Sequence, residues 1–326
     1  MTWEGLDAEL AAVPGTISVY AGRLDRAPAY RRLPDATHYA ASTMKVAVLA
    51  ALYRAAEAGT LDLDAPVPVR NDFASAQHGV PRFHCAQNYD NDDAVWERVG
   101  GKASLRWLAE RMIVRSSNLA TNVVLAHVGL PAVARVWALA GARHSVTGRG
   151  IEDFAARDAG IDNLVTAADL AALLGAIARD AAPATTPATA APHPGAARPG
   201  AAPHSGAAPH PGAALSPAGA AIAAPETCRA MLDVLFAQEH REDLAAGLPP
   251  GTRIAHKNGW VRGVRHGAGV VFPDDAPPYA VVVCTSTDLA DGGATGDDPD
   301  DACKLIARVS AAIWADRHAL TPTGTR

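Results

Sequence analysis

The four residues Ser42-Thr43-Met44-Lys45 place a hydroxyl three positions before an amine. At that spacing two side chains share one helical face, so we expect Lys45 to reach the oxygen of Ser42. Residues 46–56 are almost all apolar helix formers, which predicts a buried helix and a lysine whose charged form is costly. A serine beside a potential base is a candidate nucleophile. A serine at a helix start is also an ordinary N-cap, so the rest of the sequence has to decide between the two roles.

Two other short stretches carry polar groups where predicted elements end. Arg115-Ser116-Ser117-Asn118 lies at a junction between two predicted helices, and His256-Lys257-Asn258-Gly259-Trp260 lies at the end of a predicted strand. Both stretches are candidates for chemistry alongside Ser42. The simpler interpretation of Lys257 and Asn258 is a solvated strand end.

The composition argues against several classes of protein. The chain has 326 residues, of which 49% are hydrophobic, and its 29 Lys and Arg against 34 Asp and Glu give a net charge of -5 without a basic stripe. Nucleic acid is therefore not an expected partner. The polar, acidic start lacks the features of a secretory signal, and no apolar run is long enough to span a bilayer. These features predict a cytoplasmic monomer that acts on a small molecule and does not bind membranes.

The cysteines and histidines give no sign of a disulfide framework or a metal site. The four cysteines are widely spaced without a Cys-x-x-Cys pair, and the twelve histidines include no His-x-x-x-His pair. We therefore expect free thiols, no metal and no cofactor. The cysteines are Cys85, Cys228, Cys284 and Cys303.

The order of the predicted elements indicates an α+β fold with two lobes and a cleft between them. Strand patterns lie at 16–22, 253–257, 267–272 and 279–285, near the two ends of the chain, whereas residues 42–180 are mainly helical. One lobe, residues 1–40 and 225–326, should hold an antiparallel sheet with the N- and C-terminal helices, and residues 41–180 an all-helical lobe. Residues 181–224 are rich in Ala, Pro, Gly and His, which predicts a disordered insertion.

The three polar stretches, in this order and on these elements, resemble the motifs of a known family. Penicillin-recognising serine hydrolases, and class A β-lactamases among them, carry Ser-x-x-Lys, Ser-Asp-Asn and Lys-Thr/Ser-Gly. The resemblance covers nearly the whole chain outside the insertion and implies the β-lactamase/transpeptidase-like fold. It also implies that Ser42 is the acylated nucleophile, Lys45 a general base or proton relay, and Ser116 the group that passes a proton to the leaving nitrogen.

The same resemblance assigns the substrate-binding groups. Asn118 would bind the amide of the substrate and Lys257 its carboxylate, with Arg265 a looser match to a second carboxylate-binding cation. The backbone N–H groups of Ser42 and Trp260 would form an oxyanion hole. Gly259 completes the third motif together with Asn258, which replaces a hydroxyl by an amide.

The sequence departs from the family pattern at two other places. Ser117 stands where the family has an aspartate. In the loop 149–163, Glu152 follows Arg149 by three residues where the family spacing to its water-activating glutamate is two, and Ala156 stands where the family has a water-orienting asparagine. Glu152 is either the deacylation base or a solvated loop carboxylate. An ion pair between Arg149 and Asp162 is expected to close the loop.

These observations leave three hypotheses for the function. The first is a serine hydrolase that forms an acyl-enzyme at Ser42 and hydrolyses a β-lactam or related amide. The second is a carboxylesterase or peptidase-like acyl hydrolase or transferase with poor deacylation, which would follow if Glu152 does not activate water. The third is a binding protein that keeps the fold without catalysis.

Overall fold

A computed structural model describes residues 3–181, 221–292 and 299–320 of the chain. The predicted disordered insertion lies outside the described residues except for Ala181 and residues 221–224. The helices are α1 (Trp3–Ala11), α2 (Lys45–Glu57), α3 (Asp93–Trp96), α4 (Leu105–Val114), α5 (Asn118–Val128), α6 (Leu130–Leu139), α7 (Phe154–Asp158), α8 (Ala167–Asp180), α9 (Pro225–Phe236) and α10 (Asp301–Ala315). The strands are β1 (Thr16–Arg23), β2 (Tyr30–Arg32), β3 (His38–Tyr39), β4 (Pro66–Pro68), β5 (Lys102–Ser104), β6 (Val146–Thr147), β7 (Asn163–Val165), β8 (Arg253–Val261), β9 (Val264–Phe272) and β10 (Tyr279–Ser286).

An antiparallel five-stranded sheet in the order β2-β1-β10-β9-β8 forms the first lobe. Strand β1 pairs with β10 from Thr16 opposite Ser286 to Arg23 opposite Tyr279, so the two ends of the chain meet in one sheet. Strand β8 lies at an edge and pairs only with β9 within this sheet. The fold is therefore the α+β fold with two lobes that the order of elements predicts.

Both faces of the sheet are covered, which explains why its central strand β10 is mainly apolar. Ile17 and Val19 of β1 belong to a cluster that includes α1 and α10. Val282 and Cys284 of β10 point to the other face and join the large core shared with α2, α8 and α9. Successive side chains of a strand alternate between its faces, so a strand covered on both sides has few positions for polar residues.

Helix α2 is the centre of the helical lobe. Its residues from Lys45 to Tyr53 are buried, and α4, α5, α6 and α9 pack around it. The helix ends at Glu57, and Gly59 follows with a φ of 69°, the left-handed conformation that glycine adopts most easily. The all-round burial predicted from the apolar run 46–56 is confirmed for residues 46–53, whereas residues 54–56 are half-buried.

The region 41–180 also contains strands that the sequence pattern did not indicate. Strands β4 to β7 lie in this region, and each has two or three residues. Strand β4 pairs with β5, and β7 lies between β6 and β3, which precedes the region. Strands this short carry no measurable alternation of polar and apolar residues, so periodicity cannot reveal them. The β3-β7-β6 sheet includes β3, which leads directly into the turn that carries Ser42.

Among the described residues, no single helix is long and apolar enough to cross a membrane. The consecutive helices α5 and α6 pass a test of length and composition together, but the chain bends by 88° between them.

Candidate active site

Ser42 lies in a turn of 3-10 helix, Ala41–Met44, that precedes α2. The sequence placed Ser42 at the start of the helix itself, whereas α2 begins at Lys45 and its N-cap residue is Met44. No side chain caps either this turn or α2, so the N-cap interpretation of Ser42 is wrong. The half-buried Ser42 hydroxyl therefore does not cap the start of a helix.

The edge strand β8 touches the Ser42 turn through Gly259. A Cβ atom added to Gly259 would lie 2.6 Å from the backbone nitrogen of Ser42 and 3.0 Å from that of Thr43. These distances are too short for any residue with a side chain, so only glycine allows the strand this close to the turn. The third motif is thus packed directly against the first.

Lys45 connects the first motif with the second. Its Nζ donates to the backbone oxygen of Ser116 at 2.7 Å and to Oγ of Ser116 at 3.3 Å. It also donates to Oδ1 of Asn118 at 3.0 Å and to the backbone oxygen of Ser117 at 3.4 Å. The described residues show no hydrogen bond from Lys45 to Ser42, so the contact expected from the i, i+3 spacing is replaced by contacts to Ser116.

The burial of Lys45 sets its protonation. The side chain is 0% exposed, and burial lowers its pKa to about 7, while the charges of Asp90, Cys85 and Glu152 raise it. A lysine with a pKa near neutrality can accept a proton from a neighbouring hydroxyl and return it. Ser116 is the hydroxyl within hydrogen-bond distance of this amine.

Backbone strain concentrates at the site. Four described residues other than glycine have a positive φ, and three of them are Ala41 at 44°, Ser116 at 60° and Glu152 at 66°. Each such residue costs about 1–3 kcal/mol, and the fold has to hold it in place. Ala41 precedes Ser42, and the other two carry candidate catalytic side chains.

A loop at residues 86–90 holds the second motif. Asn118 donates from Nδ2 to the backbone oxygen of Tyr89 at 2.9 Å. Ser117 donates from Oγ to Oδ2 of Asp90 at 3.1 Å, and the backbone N–H of Leu119 donates to the same oxygen at 2.8 Å. The amide of Asn118 is therefore fixed at both ends, by Lys45 and by Tyr89.

Glu152 lies among these groups and is not a solvated loop residue. Its Oε2 accepts the backbone N–H of Ala86 at 2.8 Å, and its Oε1 is buried without a hydrogen-bond partner. Burial and the charge of Asp90 raise its pKa, while Ala86, Asn118 and Cys85 lower it. A carboxylate with one free oxygen in this position could accept a proton from a water molecule.

The loop around Glu152 is closed differently from the expectation. Among the described ion pairs, none joins Arg149 to Asp162; instead Oδ1 of Asn163 accepts the backbone N–H groups of Gly148 at 2.9 Å and Arg149 at 3.1 Å. The Arg149 guanidinium lies 5.7 Å from the centre of the Tyr39 ring. Two side-chain clamps act on either side of Glu152: Asn122 bonds both the N–H and the oxygen of Ile151, and Asp153 accepts from Ser75 and Ala76.

Lys257 and Asn258 lie side by side and fully buried on β8. Lys257 donates to the backbone oxygen of Asn258 at 2.9 Å and to its Oδ1 at 3.2 Å. Burial lowers the pKa of Lys257 well below its usual value, and the charge of Lys45 lowers it further. The two lysines of the first and third motifs therefore face the same region, and Lys257 is not a solvated strand end.

Arg265 lies opposite Trp260 on β9 and is bound to a carboxylate of its own chain. Its guanidinium is 1% exposed and donates to Oε1 of Glu242 at 2.8 Å, with the Trp260 ring centre 5.0 Å away. His240 packs edge-on against the same ring at 5.1 Å. A substrate carboxylate would have to compete with Glu242 for Arg265.

Comparisons with known proteins identify the family. The model of the β-lactamase enzyme family matches residues 2–188 and 218–316. The chain belongs to the β-lactamase enzyme family. None of the curated proteins compared with the sequence matches it.

Solved structures with the β-lactamase fold superpose on nearly the whole chain. The structure of PBP-A has a TM-score of 0.68 and 19% identity, and the match covers 96% of this chain and 94% of that one. A β-lactamase from Sphaerobacter thermophilus DSM 20745 has a TM-score of 0.68 and 22% identity over 99% and 100% of the two chains. An ancestral class A β-lactamase has a TM-score of 0.67 and 19% identity over 96% and 99%. At these identities the likeness establishes the class A-like fold.

Sequence reasoning missed several residues that shape this β-lactamase-like site. Cys85, Tyr89 and Asp90 lie in or next to a 3-10 turn, Gln87–Tyr89, that is too short to show a sequence pattern, and Glu242 precedes another short 3-10 helix, Leu244–Gly247. No motif links them to the three predicted stretches, and they reach the site only through the tertiary fold. The ten predicted residues are all placed in or beside one site by the contacts described above, with Arg265 covered by Glu242.

Two further expectations concern cysteines and metals. The four cysteines are free thiols, and all are buried. Within the described ranges, no group of three or more His, Cys, Asp or Glu side chains is arranged to hold a metal ion.

Proposed function

We propose that this member of the β-lactamase family is a serine hydrolase that forms an acyl-enzyme at Ser42 and that its substrates are β-lactam or related amides. The observation that carries the proposal is the buried Lys45 amine, which bonds Oγ of Ser116 and Oδ1 of Asn118 beside the turn of Ser42. A buried lysine with a pKa near 7 and a hydroxyl partner has the properties of a proton relay.

The proposed acylation step requires the Lys45 amine, which bonds Ser116 in the free protein, to accept a proton from Ser42. Ser42 loses its proton toward Lys45 and attacks the carbonyl carbon of the substrate, and the C–N bond then breaks. Ser116 gives a proton to the leaving nitrogen and is reprotonated by the Lys45 ammonium. The backbone N–H groups of Ser42 and Trp260 are proposed to stabilise the oxyanion, and one such donor is typically worth about 3 kcal/mol in the transition state.

Substrate binding is proposed to use the groups on both sides of the nucleophile. Asn118 would bond the substrate amide, and Lys257 would attract its carboxylate, with Asn258 supplying an amide where the family has a hydroxyl. Charge-assisted bonds of this kind are about twice as strong as neutral ones. Arg265 would take part only after Glu242 gives it up.

Deacylation is proposed to depend on Glu152. Its raised pKa, its buried Oε1 without a partner and its position next to Asn118 favour a role in water activation. One observation favours the second hypothesis, an enzyme that acylates readily and releases product slowly. Ala156 is 0% exposed and has no polar side-chain group to orient a water molecule beside Glu152.

Intact mass and turnover measured together test the proposal. The protein is incubated with a penicillin and with a chromogenic cephalosporin, and Ser42→Ala is the control that lacks the nucleophile. Turnover lost in the control supports a β-lactam hydrolase, whereas a stable adduct lost in the control supports acylation with slow release. If the protein shows neither an adduct nor turnover, the β-lactam assignment is refuted. Labelling of Ser42 by a fluorophosphonate probe would then separate another serine hydrolase from a binding protein.

A further inference from the structure

Asp90 stands in an unexpected relation to the second motif. Ser117 occupies the position where the family has an aspartate, so the motif Ser116–Asn118 lacks its own carboxylate. In the structure Ser117 instead binds a carboxylate from a separate loop, because its Oγ donates to Oδ2 of Asp90 at 3.1 Å. The N–H of Leu119, in the first turn of α5, donates to the same oxygen at 2.8 Å.

We propose that Asp90 is a positioning residue for the site: it replaces the acidic member of the second motif from outside that motif and thereby holds Ser116, Asn118 and the base Lys45 in register. The role in the reaction rests on the proposed function. The placement of Asp90 does not, because it follows from hydrogen bonds in the free protein.

The neighbouring contacts show why such an anchor is needed. Ser116 has a φ of 60°, so the chain before α5 is strained and needs a fixed partner to stay in this conformation. Ser117 is fully buried, and its Oγ also accepts the N–H of Ala120 at 3.1 Å. The Ser117 hydroxyl therefore caps the start of α5 and also donates to Asp90. These two bonds fix the first turn of the helix that carries Asn118. A negative charge at a helix N-terminus is also stabilising.

Besides accepting hydrogen bonds from Ser117 and Leu119, Asp90 acts on Lys45 through its charge. The ionisable groups that face the Lys45 amine are Asp90 and Cys85 from the loop before α3, Glu152 from the loop before α7 and Lys257 on β8. Among the groups that raise the Lys45 pKa, Asp90 has the largest effect. Removing its charge should leave Lys45 deprotonated at a lower pH.

The first experiment titrates Lys45 in the ligand-free protein by NMR. The chain has only four lysines, so a sample labelled with [13C]lysine gives a simple spectrum, and Lys45→Ala assigns the signal. We expect Asp90→Asn to lower the Lys45 pKa by about 1 pH unit, the low end of the effect of a close opposite charge. Asp93→Asn, a nearby carboxylate that accepts from Gln87, is the control and should leave it unchanged. An equal Lys45 pKa in Asp90→Asn and the wild type would overturn the electrostatic part of the proposal.

The second experiment moves the carboxylate back into the motif. We expect Asp90→Ala to lower the melting temperature by a few degrees. Ser117→Asp alone should also lower it, because two carboxylates then share one position. In the Asp90→Ala background the same Ser117→Asp change should restore stability and the Lys45 pKa. A Ser117→Asp effect that is equal in both backgrounds would overturn the replacement.

The outcomes separate this inference from the proposed function. A wild type that is not acylated, with the titration and the swap as expected, refutes the function and supports the anchoring role of Asp90. A wild type that is acylated, with a swap that fails to rescue, supports the function and refutes the role of Asp90. The acylation rate of the swapped variant gives a further check, since it should exceed that of Asp90→Ala.

Discussion

Replacing Gly259 by alanine should slow acylation by about 100-fold while leaving the protein folded. The new Cβ atom would lie 2.6 Å from the backbone nitrogen of Ser42, so reaching an ordinary contact of 3.4 Å requires a shift of roughly 0.8 Å. The opposing atoms are backbone, and neither the turn nor the edge strand has a flexible side chain there to move aside. A misplacement of about 1 Å in a catalytic site costs about 100-fold in rate.

The same change can be expressed as a free energy. A factor of 100 corresponds to about 2.7 kcal/mol in the barrier to acylation. The shift also separates the backbone of β8 from the turn that would supply an oxyanion donor, and one lost donor of this kind costs about 3 kcal/mol. The two estimates describe the same displacement and are not added.

The assay compares Gly259→Ala with Gly267→Ala on the neighbouring strand. The Cβ of Gly267→Ala would lie 2.7 Å from Cγ of Leu244, whose side chain is not part of the Ser42 turn. Both variants should lower the melting temperature, but only Gly259→Ala should slow formation of the Ser42 adduct with a penicillin or a fluorophosphonate. If Gly259→Ala is acylated within about threefold of the wild-type rate, the close contact is not what positions the nucleophile.

Three other predictions test the roles of single charged groups. Glu152→Gln should leave acylation almost unchanged and slow release of the adduct by about 100-fold or more, the usual contribution of a general base; time-resolved intact mass would show the adduct accumulate, and unchanged turnover would exclude the role. Glu242→Gln should free the Arg265 guanidinium and lower the KM of a carboxylate-bearing β-lactam by about 10-fold, since a charged hydrogen bond is worth about 1.5–3 kcal/mol; the methyl ester of the same compound is the control and should not change. Because burial lowers the Lys45 pKa to about 7, its basic form grows as the pH rises through that value, so the acylation rate should increase up to about pH 7 and then level off; a rate independent of pH below 7 would show that another group accepts the Ser42 proton.

The main elements of the fold could be predicted because long apolar patterns determine them. The strand predicted for 16–22 is Thr16–Arg23, and the strand predicted for 279–285 is Tyr279–Ser286. Burial of α2 on all sides follows from its composition, since an element without a polar face has to be enclosed. The short strands β4 to β7 could not be found, because two or three residues hold no period.

The sequence predicts the site residues that belong to one short motif. It misses the residues that the fold brings to the site from distant parts of the chain. Lys45, Ser116 and Asn118 are contained in two motifs and do lie in contact. The sequence cannot show that Lys45 bonds Ser116 rather than Ser42, because that choice depends on the 3-10 turn before α2. Asp90 enters from another loop and has no signature of its own.

The loop around Glu152 gives unequal support to the two proposed steps, acylation and product release. Glu152 is held between Ile151, which bonds Asn122, and Asp153, which accepts from Ser75 and from the backbone N–H of Ala156. Its position therefore does not require a polar side chain at residue 156. An amide at position 156 would hold water rather than the base. These contacts fix the proposed base, whereas Oε1 of Glu152, the carboxylate oxygen that has no hydrogen-bond partner among the described residues, is left to bind the water. Slow release with rapid acylation would follow from a poorly held water molecule and not from a misplaced glutamate.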